Sequence, residues 1–459
     1  MRVYFEAYGC TLNYGEARMM EALVVANKHS IVDDMKYADI LVLVTCTVIE
    51  ATERKMLKRI REMLLTGKPL VVAGCMAAVQ KHEIMNISSG INILPPSKLT
   101  DIVEVCKKLK KTLAVQDEEA NNPLSQKDIE KEPVATIRNW QNKTDVLPTG
   151  TISKHINRVT HSPVVHTATV DAIIPIAQGC LGECTYCITR FARGRLRSYT
   201  IEHIINNIKT NLERGCMEIR LTAQDTSGYG SDIGTDLPTL IDRVTDLPGD
   251  FRIRIGMMNP SGAGRILKNL LNSYRSPKVY KFIHLPVQSG SDAILNKMKR
   301  PYSVNEFKNI IRTIRSEYPE ITLSTDIIVG FPGETEEQFM ESQKLISDIK
   351  PDIVNITRYS ARPGTTAEKM NRQVVSRISK ERSRKLAGLR FDISLEINKR
   401  QIGKRHRILI TETGKRNTII GRTDEYRPVV IAEKLSLGRY ANVEIIGAKS
   451  VYLEGRLVD

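Results

Sequence analysis

The sequence lacks any long hydrophobic run. Its 459 residues contain no stretch of about 18 uncharged apolar residues, so no membrane-spanning helix is predicted. The first residues, MRVYFEAYGC, read directly into a strand and carry no apolar secretory segment. We therefore expect a cytoplasmic protein without membrane contact. For the eight cysteines of such a protein, ligation or catalysis is a better expectation than a disulfide framework.

Acidic residues are too few to balance the basic ones. There are 68 Lys and Arg against 52 Asp and Glu, which gives a net charge of +16. A solvated basic surface is the ordinary interpretation of such a balance. However, the excess is concentrated between Arg377 and Arg416, where 13 basic residues face 4 acidic ones. This clustering favours a polyanionic partner, most simply RNA.

Three central cysteines lack a fourth partner. Cys180, Cys184 and Cys187 follow the spacing C-x3-C-x2-C, with Tyr186 just before the last. A closed zinc site needs a fourth Cys or His, and the nearest downstream candidate, His203, lies too far along a predicted helix. An iron–sulfur cubane normally takes four cysteines, so three thiolates leave one iron open to a small chelating ligand.

Strands and helices alternate over the first hundred residues, which predicts a parallel sheet. One cysteine follows each of three buried strands: Cys10, Cys46 and Cys75. The carboxyl ends of parallel strands face one crevice, so these residues should converge. Buried small thiols are the ordinary alternative, but the repeated placement predicts a second three-thiolate iron–sulfur site. Cys106 and Cys216 fit neither pattern and are predicted to be core thiols.

The remaining chain divides by pattern into an α/β multidomain protein. The alternation of strands and helices stops at a polar stretch that several prolines interrupt, and this indicates a linker or a functional loop. Six strand–helix units then predict a partial (βα)6 barrel of parallel strands, with the C-x3-C-x2-C loop after its first strand. A basic helix and five short strands follow, typical of a small antiparallel barrel that binds nucleic acid. The predicted domains are 1–108, a linker or insertion at 109–170, 171–396 (the barrel with the basic helix), and 397–459.

Loops after other barrel strands carry groups suited to a nucleoside ligand on the open iron. Gln288 and Ser289 offer an amide and a hydroxyl that suit a ribose. The segment from Asp326 onward includes Gly330, and glycine permits close backbone approach to a flat base. Gln224 also points to the reactive face. Each loop alone could be an ordinary turn. However, the loops follow successive strands at the same end of the barrel, and this repeated position favours a binding site.

Taken together, these motifs resemble the radical S-adenosylmethionine (SAM) methylthiotransferases, over nearly the whole chain except 109–170. Gly9-Cys10-Thr11-Leu12-Asn13 and Gly74-Cys75-Met76 look like the family's first and third N-terminal motifs. The second has Val44 where many members have Asn, a departure that bears on hydrogen bonding near the ligand Cys46 and not on the ligand itself.

The resemblance implies an N-terminal methylthiotransferase domain with an auxiliary [4Fe–4S] cluster, a radical SAM barrel with a second [4Fe–4S] cluster, and a C-terminal TRAM domain. It implies that two SAM molecules are used per turnover. The implied metal ligands are Cys10, Cys46, Cys75, Cys180, Cys184 and Cys187. The implied SAM contacts are Tyr186, Gln224, Gln288, Ser289, Asp326 and Gly330. No other catalytic residue is identified.

The substrate differs within this family. Ala192-Arg193-Gly194 and the Leu221-Thr222 segment are most similar to the archaeal and eukaryotic subgroup. That subgroup adds a methylthio group to C2 of N6-threonylcarbamoyladenosine at tRNA position 37. The resemblance implies tRNA, through its anticodon stem-loop, and a small electron donor such as ferredoxin or flavodoxin as partners. Isopentenyladenosine-37 of tRNA, an aspartate of a ribosomal protein, and a zinc-bearing RNA-binding protein without enzymatic activity remain the alternatives.

Overall fold

The first unit of the structure is a parallel sheet with helices on both faces. The coordinates are a computed structural model, which describes residues 1–120, 170–415 and 417–458. The strands, in the spatial order β2-β1-β3-β4-β5, are β1 (Arg2–Ala7), β2 (Ser30–Val32), β3 (Ile40–Thr45), β4 (Leu70–Gly74) and β5 (Asn92–Leu94). The helices are α1 (Thr11–Ala26), α2 (Glu50–Leu64), α3 (Cys75–Val79), α4 (Lys81–Met85) and α5 (Ile102–Ala120).

Two hydrophobic clusters hold this sheet, one on each face. Successive side chains of a strand point to opposite faces, so Val42 and Val44 join the cluster beneath α1 and α5, while Leu41 and Leu43 join the cluster beneath α2. All four pairings are parallel, as the buried-strand pattern predicts. The carboxyl ends of β1, β3 and β4 therefore meet at one edge.

Two details of this unit differ from the sequence-based expectation. After β4, where the alternation predicts one helix, the chain forms two short helices, α3 and α4, which are separated at Gln80, whose φ of −130° is not helical. The last helix, α5, continues to Ala120, past the predicted domain end at 108. Most of the predicted linker or insertion at 109–170 lies outside the described residues, so the four domain boundaries stay predictions.

The second unit consists of six parallel strands with helices outside them. The strands form two sheets, β6-β9-β10 and β11-β12-β13. Backbone hydrogen bonds from the segment before β11 to Ile253 of β10 bring the two sheets side by side. The elements are β6 (Asp171–Pro175), β7 (Ala177–Gln178), α6 (Thr189–Arg193), β8 (Arg197–Ser198), α7 (Ile201–Glu213), β9 (Glu218–Thr222), α8 (Leu237–Thr245), β10 (Arg252–Ile255), α9 (Pro260–Ser273), β11 (Phe282–His284), α10 (Asp292–Lys297), α11 (Val304–Glu317), β12 (Thr322–Val329), α12 (Glu336–Ile349), β13 (Ile353–Arg358) and α13 (Ser376–Lys399).

The predicted partial barrel is confirmed, including the basic helix α13. Ile219, Ile253 and Ile283 pack beneath the surrounding helices in one large core. The alternate residues of the same strands face the barrel interior. The predicted core thiols are also confirmed: Cys106 is fully buried, and Cys216 is buried with its Sγ 3.1 Å from the carbonyl oxygen of Glu218.

The third unit is a closed five-stranded barrel. Its strands are β14 (Arg405–Thr413), β15 (Ile419–Arg422), β16 (Pro428–Ile431), β17 (Tyr440–Ala448) and β18 (Leu453–Leu457), in the order β14-β15-β16-β18-β17. The predicted small antiparallel barrel is confirmed: four of its five neighbouring pairs are antiparallel, and only β16 and β18 are parallel. A ring with an odd number of strands cannot alternate direction all the way round, so one neighbouring pair must be parallel.

The first two units meet where α1 crosses β6. A Cβ added to Gly15 would lie 2.9 Å from Cγ2 of Ile173 and 3.1 Å from Cγ of Pro175. The absence of a side chain at Gly15 thus permits the helix to contact the first barrel strand directly. Arg18 of the same helix donates to the backbone carbonyl of Asp171 at 2.9 Å.

We predict that Gly15→Ala destabilises the protein, although alanine favours a helix interior over glycine. The new methyl group must displace Ile173 or Pro175, and overpacking of this kind costs about 1–3 kcal/mol. The matched control is Gly388→Ala in α13, where an added Cβ meets no atom within 4 Å. Urea denaturation should show a lower midpoint for Gly15→Ala and an unchanged or higher one for Gly388→Ala. An equal increase of the urea midpoint in both variants would contradict the close contact of Gly15 with Ile173 and Pro175.

Candidate active site

Three cysteines of the N-terminal sheet lie around the side chain of Asn13. Cys10 follows β1, Cys46 follows β3, and Cys75 begins α3 directly after β4. Oδ1 of Asn13 lies 3.9 Å from the Sγ atoms of both Cys10 and Cys75. Its Nδ2 donates at 3.0 Å to the carbonyl of Thr45, the residue before Cys46. The three thiols predicted to converge are therefore together at the carboxyl edge of the sheet.

Burial opposes the ionisation of these thiols. It is the main reason that the pKa of Cys75 is raised to about 12; the thiolates of Cys10 and Cys46 add to that rise, and Arg193 opposes it. Burial likewise raises the pKa of Cys46. Iron–sulfur ligation requires thiolates, so a cation or a cluster must compensate their charge. The guanidinium of Arg193 supplies part of that compensation.

The loop of the three central cysteines is shaped by two glycines. Gly179 has φ of +74°, and a Cβ there would overlap the carbonyl oxygen of Arg195, so only glycine fits. The backbone N–H of Gly182 donates to Sγ of Cys180 at 3.2 Å. A Cβ on Gly182 would lie 3.3 Å from that sulfur and 3.8 Å from Sγ of Cys184. The loop therefore folds around Gly182 with two of its sulfurs on the same side.

Polar side chains surround the sulfurs of this loop. Nη1 of Arg300 donates to Sγ of Cys184 at 3.3 Å, and the hydroxyl of Thr189 lies 2.7 Å from Sγ of Cys187. Burial raises the pKa of Cys180 to about 11, and the hydrogen bond from the Gly182 amide opposes that rise. The three predicted ligands are thus brought together, each with a donor beside its sulfur.

Arg193, at the end of α6, joins the two cysteine sites. Its Nε donates to Sγ of Cys75 at 3.2 Å, and its Nη2 donates to Oδ1 of Asn13 at 2.7 Å and to Oε2 of Glu16 at 2.8 Å. Its Nη1 donates to the other oxygen of Glu16. Both side chains of this ion pair are fully buried. Burial by itself lowers the pKa of Arg193, but Cys75 and Glu16 outweigh it, so the pKa is raised.

The same short helix touches the central cysteine loop through its backbone. The N–H of Cys180 donates to the carbonyl of Gly194, the residue after Arg193, at 3.2 Å. One end of α6 therefore contacts Cys180 through the main chain and Cys75 through a side chain. Both groups of thiols therefore lie next to this helix end.

A second arginine connects the loop after β13 to the N-terminal unit. Nη2 of Arg362 donates to the hydroxyl of Thr47 at 3.1 Å and to a carboxylate oxygen of Glu53. Thr47 follows Cys46 directly and also bonds to Gln80, where α3 and α4 meet. Arg362 thus anchors the barrel mouth beside the second cysteine of the N-terminal group.

Neither group of cysteines is arranged for a single metal ion. Within residues 1–120, 170–415 and 417–458, no three His, Cys, Asp or Glu side chains are close enough to hold one ion. The sulfurs of Cys10 and Cys75 both lie beside Oδ1 of Asn13. The donor sets, three thiols each with a neighbouring cation or hydroxyl, fit iron–sulfur clusters with three cysteine ligands.

The predicted SAM contacts occupy different environments. Tyr186 lies in the central loop, edge-on to Phe331 with ring centroids 6.4 Å apart. Gln224 follows β9, and its buried Oε1 has no hydrogen-bond partner among the described residues. Gln288 has φ of +72°, with its N–H bonded to the carbonyl of Asp326 at 2.8 Å. These residues lie at the carboxyl ends of the barrel strands, as predicted.

Three other predicted contacts are occupied by intramolecular partners. Ser289 is fully buried, and its hydroxyl accepts from the N–H of Ser291 at 3.2 Å. Oδ1 of Asp326 is bonded to His284 and to Asn355, each at 2.8 Å. At Gly330 an added Cβ would lie 2.6 Å from Cβ of Ser379 in α13. The close approach expected at this glycine is thus made by a helix, and all six contacts stay predictions.

Sequence reasoning missed the cations of the site. Arg193 lies inside a motif that the sequence indicates, but its partner Glu16 lies 177 residues away. The sequence feature that could have identified Arg193 is its position between the small residues Ala192 and Gly194. Arg300 and Arg362 lie in loops far from any cysteine in the chain, and no spacing rule connects them to the cysteines.

Comparison with known families matches each of the three units. The radical SAM superfamily matches residues 174–346, the uncharacterized protein family UPF0004 matches 2–94, and the TRAM domain matches 399–458. Among solved structures, the radical S-adenosylmethionine methyltransferase TsrM from Kitasatospora setae is similar with a TM-score of 0.52. That likeness covers 80% of this chain and 75% of TsrM at 11% identity, and it supports the fold alone.

Curated relatives match along the full length. A probable threonylcarbamoyladenosine tRNA methylthiotransferase of Pyrococcus horikoshii is 40% identical over 100% of both chains. The one of Archaeoglobus fulgidus is 38% identical over 100% of this chain and 99% of its own. The threonylcarbamoyladenosine tRNA methylthiotransferase of Homo sapiens is 31% identical over 100% of this chain and 74% of its own.

We predict that Arg193→Met strongly destabilises the protein. The substitution leaves the carboxylate of Glu16 buried without its partner, which costs about 3–5 kcal/mol. The matched control is Arg54→Met, because the Arg54–Glu50 pair is exposed on α2 and contributes little. Denaturant unfolding should show a large decrease in the free energy of unfolding for Arg193→Met and no decrease for Arg54→Met. Adding Glu16→Leu to Arg193→Met should recover part of the loss; an unchanged midpoint for Arg193→Met would contradict the buried pair.

Proposed function

This chain belongs to the threonylcarbamoyladenosine tRNA methylthiotransferase family of radical SAM enzymes, and from this we propose that it adds a methylthio group to C2 of N6-threonylcarbamoyladenosine at position 37 of tRNA. The observation that supports the proposal is the pair of three-cysteine sites that both contact the helix end at Arg193 and Gly194. A single site would suffice to generate a radical. A second site with three cysteines can hold the sulfur that is transferred to the substrate.

One [4Fe–4S] cluster and SAM follow from the radical SAM family. We assign that cluster to the central loop and a second [4Fe–4S] cluster to the N-terminal site. The metal ligands would be Cys180, Cys184 and Cys187 in the first, and Cys10, Cys46 and Cys75 in the second. When bound, these groups and two SAM molecules per turnover supply radical formation, sulfur and the methyl group.

The chain's own residues hold and shield these groups. Arg300 directs a donor at Cys184, and Arg193 directs one at Cys75, so both sites have a thiolate stabilised by a guanidinium. Glu16 and Asn13 fix the orientation of Arg193. Tyr186, Gln224 and Gln288 are the best placed of the proposed SAM contacts, while Ser289, Asp326 and Gly330 would act mainly by shaping the loops around them.

RNA binding is supported by the TRAM match and by the charge of the third unit. Of the basic cluster at 404–407, Arg407 is ion-paired with Asp250, and Lys404 lies 3.7 Å from Glu320. Arg405 is exposed with no ion pair among the described residues. We propose that Lys404 and Arg405 contact phosphates of the anticodon stem-loop, which leaves the base to enter the barrel mouth.

The alternatives noted from the sequence are weaker. The relatives described above act, by name, on threonylcarbamoyladenosine of tRNA, which disfavours isopentenyladenosine-37 and a ribosomal-protein aspartate. The zinc-bearing RNA-binding protein is disfavoured because no described residues form a single-ion site and a radical SAM unit is present.

An electron donor must reach the central cluster. Leu181 and Phe191 are about half exposed beside the cysteine loop, and Arg195 and Arg197 are exposed nearby. An acidic protein such as ferredoxin or flavodoxin would complement this surface. A cytoplasmic location, proposed from the sequence, would place the chain with such donors and with tRNA. Among the described residues, no helix is both long and apolar enough to cross a membrane.

We predict about eight iron atoms per chain after anaerobic reconstitution, four from each site. Replacing Cys180, Cys184 and Cys187 together by Ala should leave about four iron atoms and abolish SAM cleavage. Replacing Cys10, Cys46 and Cys75 should also leave about four but retain reductive SAM cleavage without methylthio transfer. The readouts are iron analysis, 5′-deoxyadenosine formation and nucleoside mass spectrometry. Finding four iron atoms in the intact protein would rule out the two-cluster assignment.

We also predict that Lys404→Gln with Arg405→Gln weakens binding of a threonylcarbamoylated anticodon stem-loop and makes it less salt-dependent. Each lost phosphate contact reduces the slope of log K against log[salt] by about 0.7–0.9. The control is Lys344→Gln, an exposed lysine of α12, which should leave the slope unchanged. Equal slopes for all three proteins would mean that the RNA does not contact this cluster.

A further inference from the structure

The third unit lies at the end of the barrel opposite the cysteines. The backbone carbonyl of Asp424 accepts from the N–H of Lys281, the residue before β11, at 2.7 Å. The carboxylate of Asp424 lies 3.2 Å from Nε of Arg252, the first residue of β10. The central cysteine loop follows the other end of the strands, and a strand of eight residues such as β12 is about 26 Å long. An RNA that contacts the third unit and places a base at the cysteines must therefore extend over the outer side of the barrel.

The basic helix α13 runs along that outer side from one end of the barrel to the other. Its second turn lies at the reactive end, where a Cβ added to Gly330 would be 2.6 Å from Cβ of Ser379. Its last turn reaches the third unit, where Nδ2 of Asn398 donates to the backbone carbonyl of Lys449 at 2.7 Å. A helix of 24 residues is about 36 Å long. This single element therefore spans the distance between the third unit and the reactive end.

Three exposed cations of α13 share one face in the half that is nearer the reactive end. Arg377, Lys380 and Arg384 are spaced i, i+3, i+7, which places them on the same side of a helix. All three are exposed, and none forms an ion pair within the part of the chain that the structure describes. The two other cations of this half, Arg382 and Lys385, are each paired with glutamates. Arg377, Lys380 and Arg384 form what we term the basic face of α13.

The charge of this face is unfavourable for the helix itself. Arg377 lies in the first turn, where the helix dipole favours a negative charge. The first turn of α13 has no acidic residue, whereas the first turns of α2, α11 and α12 each contain at least one. A departure from such a local rule is typical of a functional surface. An anion bound from outside would compensate the charge that the helix leaves unbalanced.

We propose that the basic face of α13 binds phosphates of the RNA substrate and leads the anticodon loop to the reactive end of the barrel, an inference that rests on the function proposed above. Lys404 and Arg405 follow the far end of the same helix in the chain, so the two groups of cations belong to its two ends. Phosphate contacts fix the position of an RNA without reading its sequence. The basic face is therefore a positioning surface, which the cysteine chemistry itself does not require.

The test removes the three charges together in the reconstituted full-length protein. Arg377→Gln, Lys380→Gln and Arg384→Gln keep good helix formers at each position. Binding of a threonylcarbamoylated anticodon stem-loop is measured over a range of salt concentrations. The slope of log K against log[salt] should become shallower by about 2–3, because each lost phosphate contact removes about 0.7–0.9. The urea midpoint should equal or exceed that of the wild type, since a cation leaves the first helical turn.

The matched control is the triple variant Lys107→Gln, Lys110→Gln, Lys111→Gln in α5. These lysines are also exposed, and none forms an ion pair among the described residues. Lys107 and Lys110 lie near His29, which precedes β2 at the amino end of the N-terminal sheet and therefore lies away from the cysteines. The control has the same change of net charge and should keep the wild-type slope.

Two results would overturn the inference. One is an equal decrease of the slope in both triple variants, which would show a general effect of net charge. The other is retention of the wild-type slope by the α13 variant. The proposed function fails separately, if the wild type forms no 2-methylthio product on this RNA.

Discussion

The buried ion pair between Arg193 and Glu16 is the contact on which the arrangement of the site depends. A fully buried guanidinium and carboxylate are stable only when every donor and acceptor has a partner. Arg193 meets that condition only if α1, the Cys75 helix and the central cysteine loop occupy their observed positions together. The pair therefore specifies how the first two units face each other as much as it stabilises them.

That constraint explains why two separate folds place their cysteines next to each other. In the N-terminal sheet the reactive edge is set by the parallel strand order, and in the barrel it is set by the carboxyl ends of β6 and β9–β13. Neither sheet alone brings six thiols together. The close crossing of Gly15 over β6 and the contact of Arg362 with Thr47 flank the ion pair and limit movement about it. The sulfur and the radical must both reach the same carbon atom of the substrate. The reaction therefore needs a fixed distance between the two groups of cysteines.

The sequence predicted the thiols and the folds around them, because both follow from local patterns. A cysteine directly after a buried strand is visible in the chain, and parallel sheet geometry then determines where it lies. The alternation of apolar strands with helices likewise located the six barrel strands, and the basic helix was found after them. The edge strands β2 and β5 went unnoticed because each has only three residues.

Partners distant in the chain could not be predicted in this way. Arg193 meets Glu16 and Arg362 meets Glu53 only after the units dock, and no spacing rule connects them. Gly330 is predicted to lie close to a ligand, and its close approach to α13 was not predicted. What a residue touches across a domain boundary depends on tertiary packing, and local sequence carries little of that information.

The most direct measurement of the central claim is electron paramagnetic resonance of the reduced, anaerobically reconstituted protein. Two clusters next to the helix end at Arg193 and Gly194 should show mutual spin–spin broadening, because Cys180 and Cys75 both contact the same short helix end. The broadening should disappear in each of the two triple-cysteine variants, leaving a single sharp signal. A spectrum of the intact protein that equals the simple sum of the two variant spectra would contradict the placement of both cysteine groups at the same helix end.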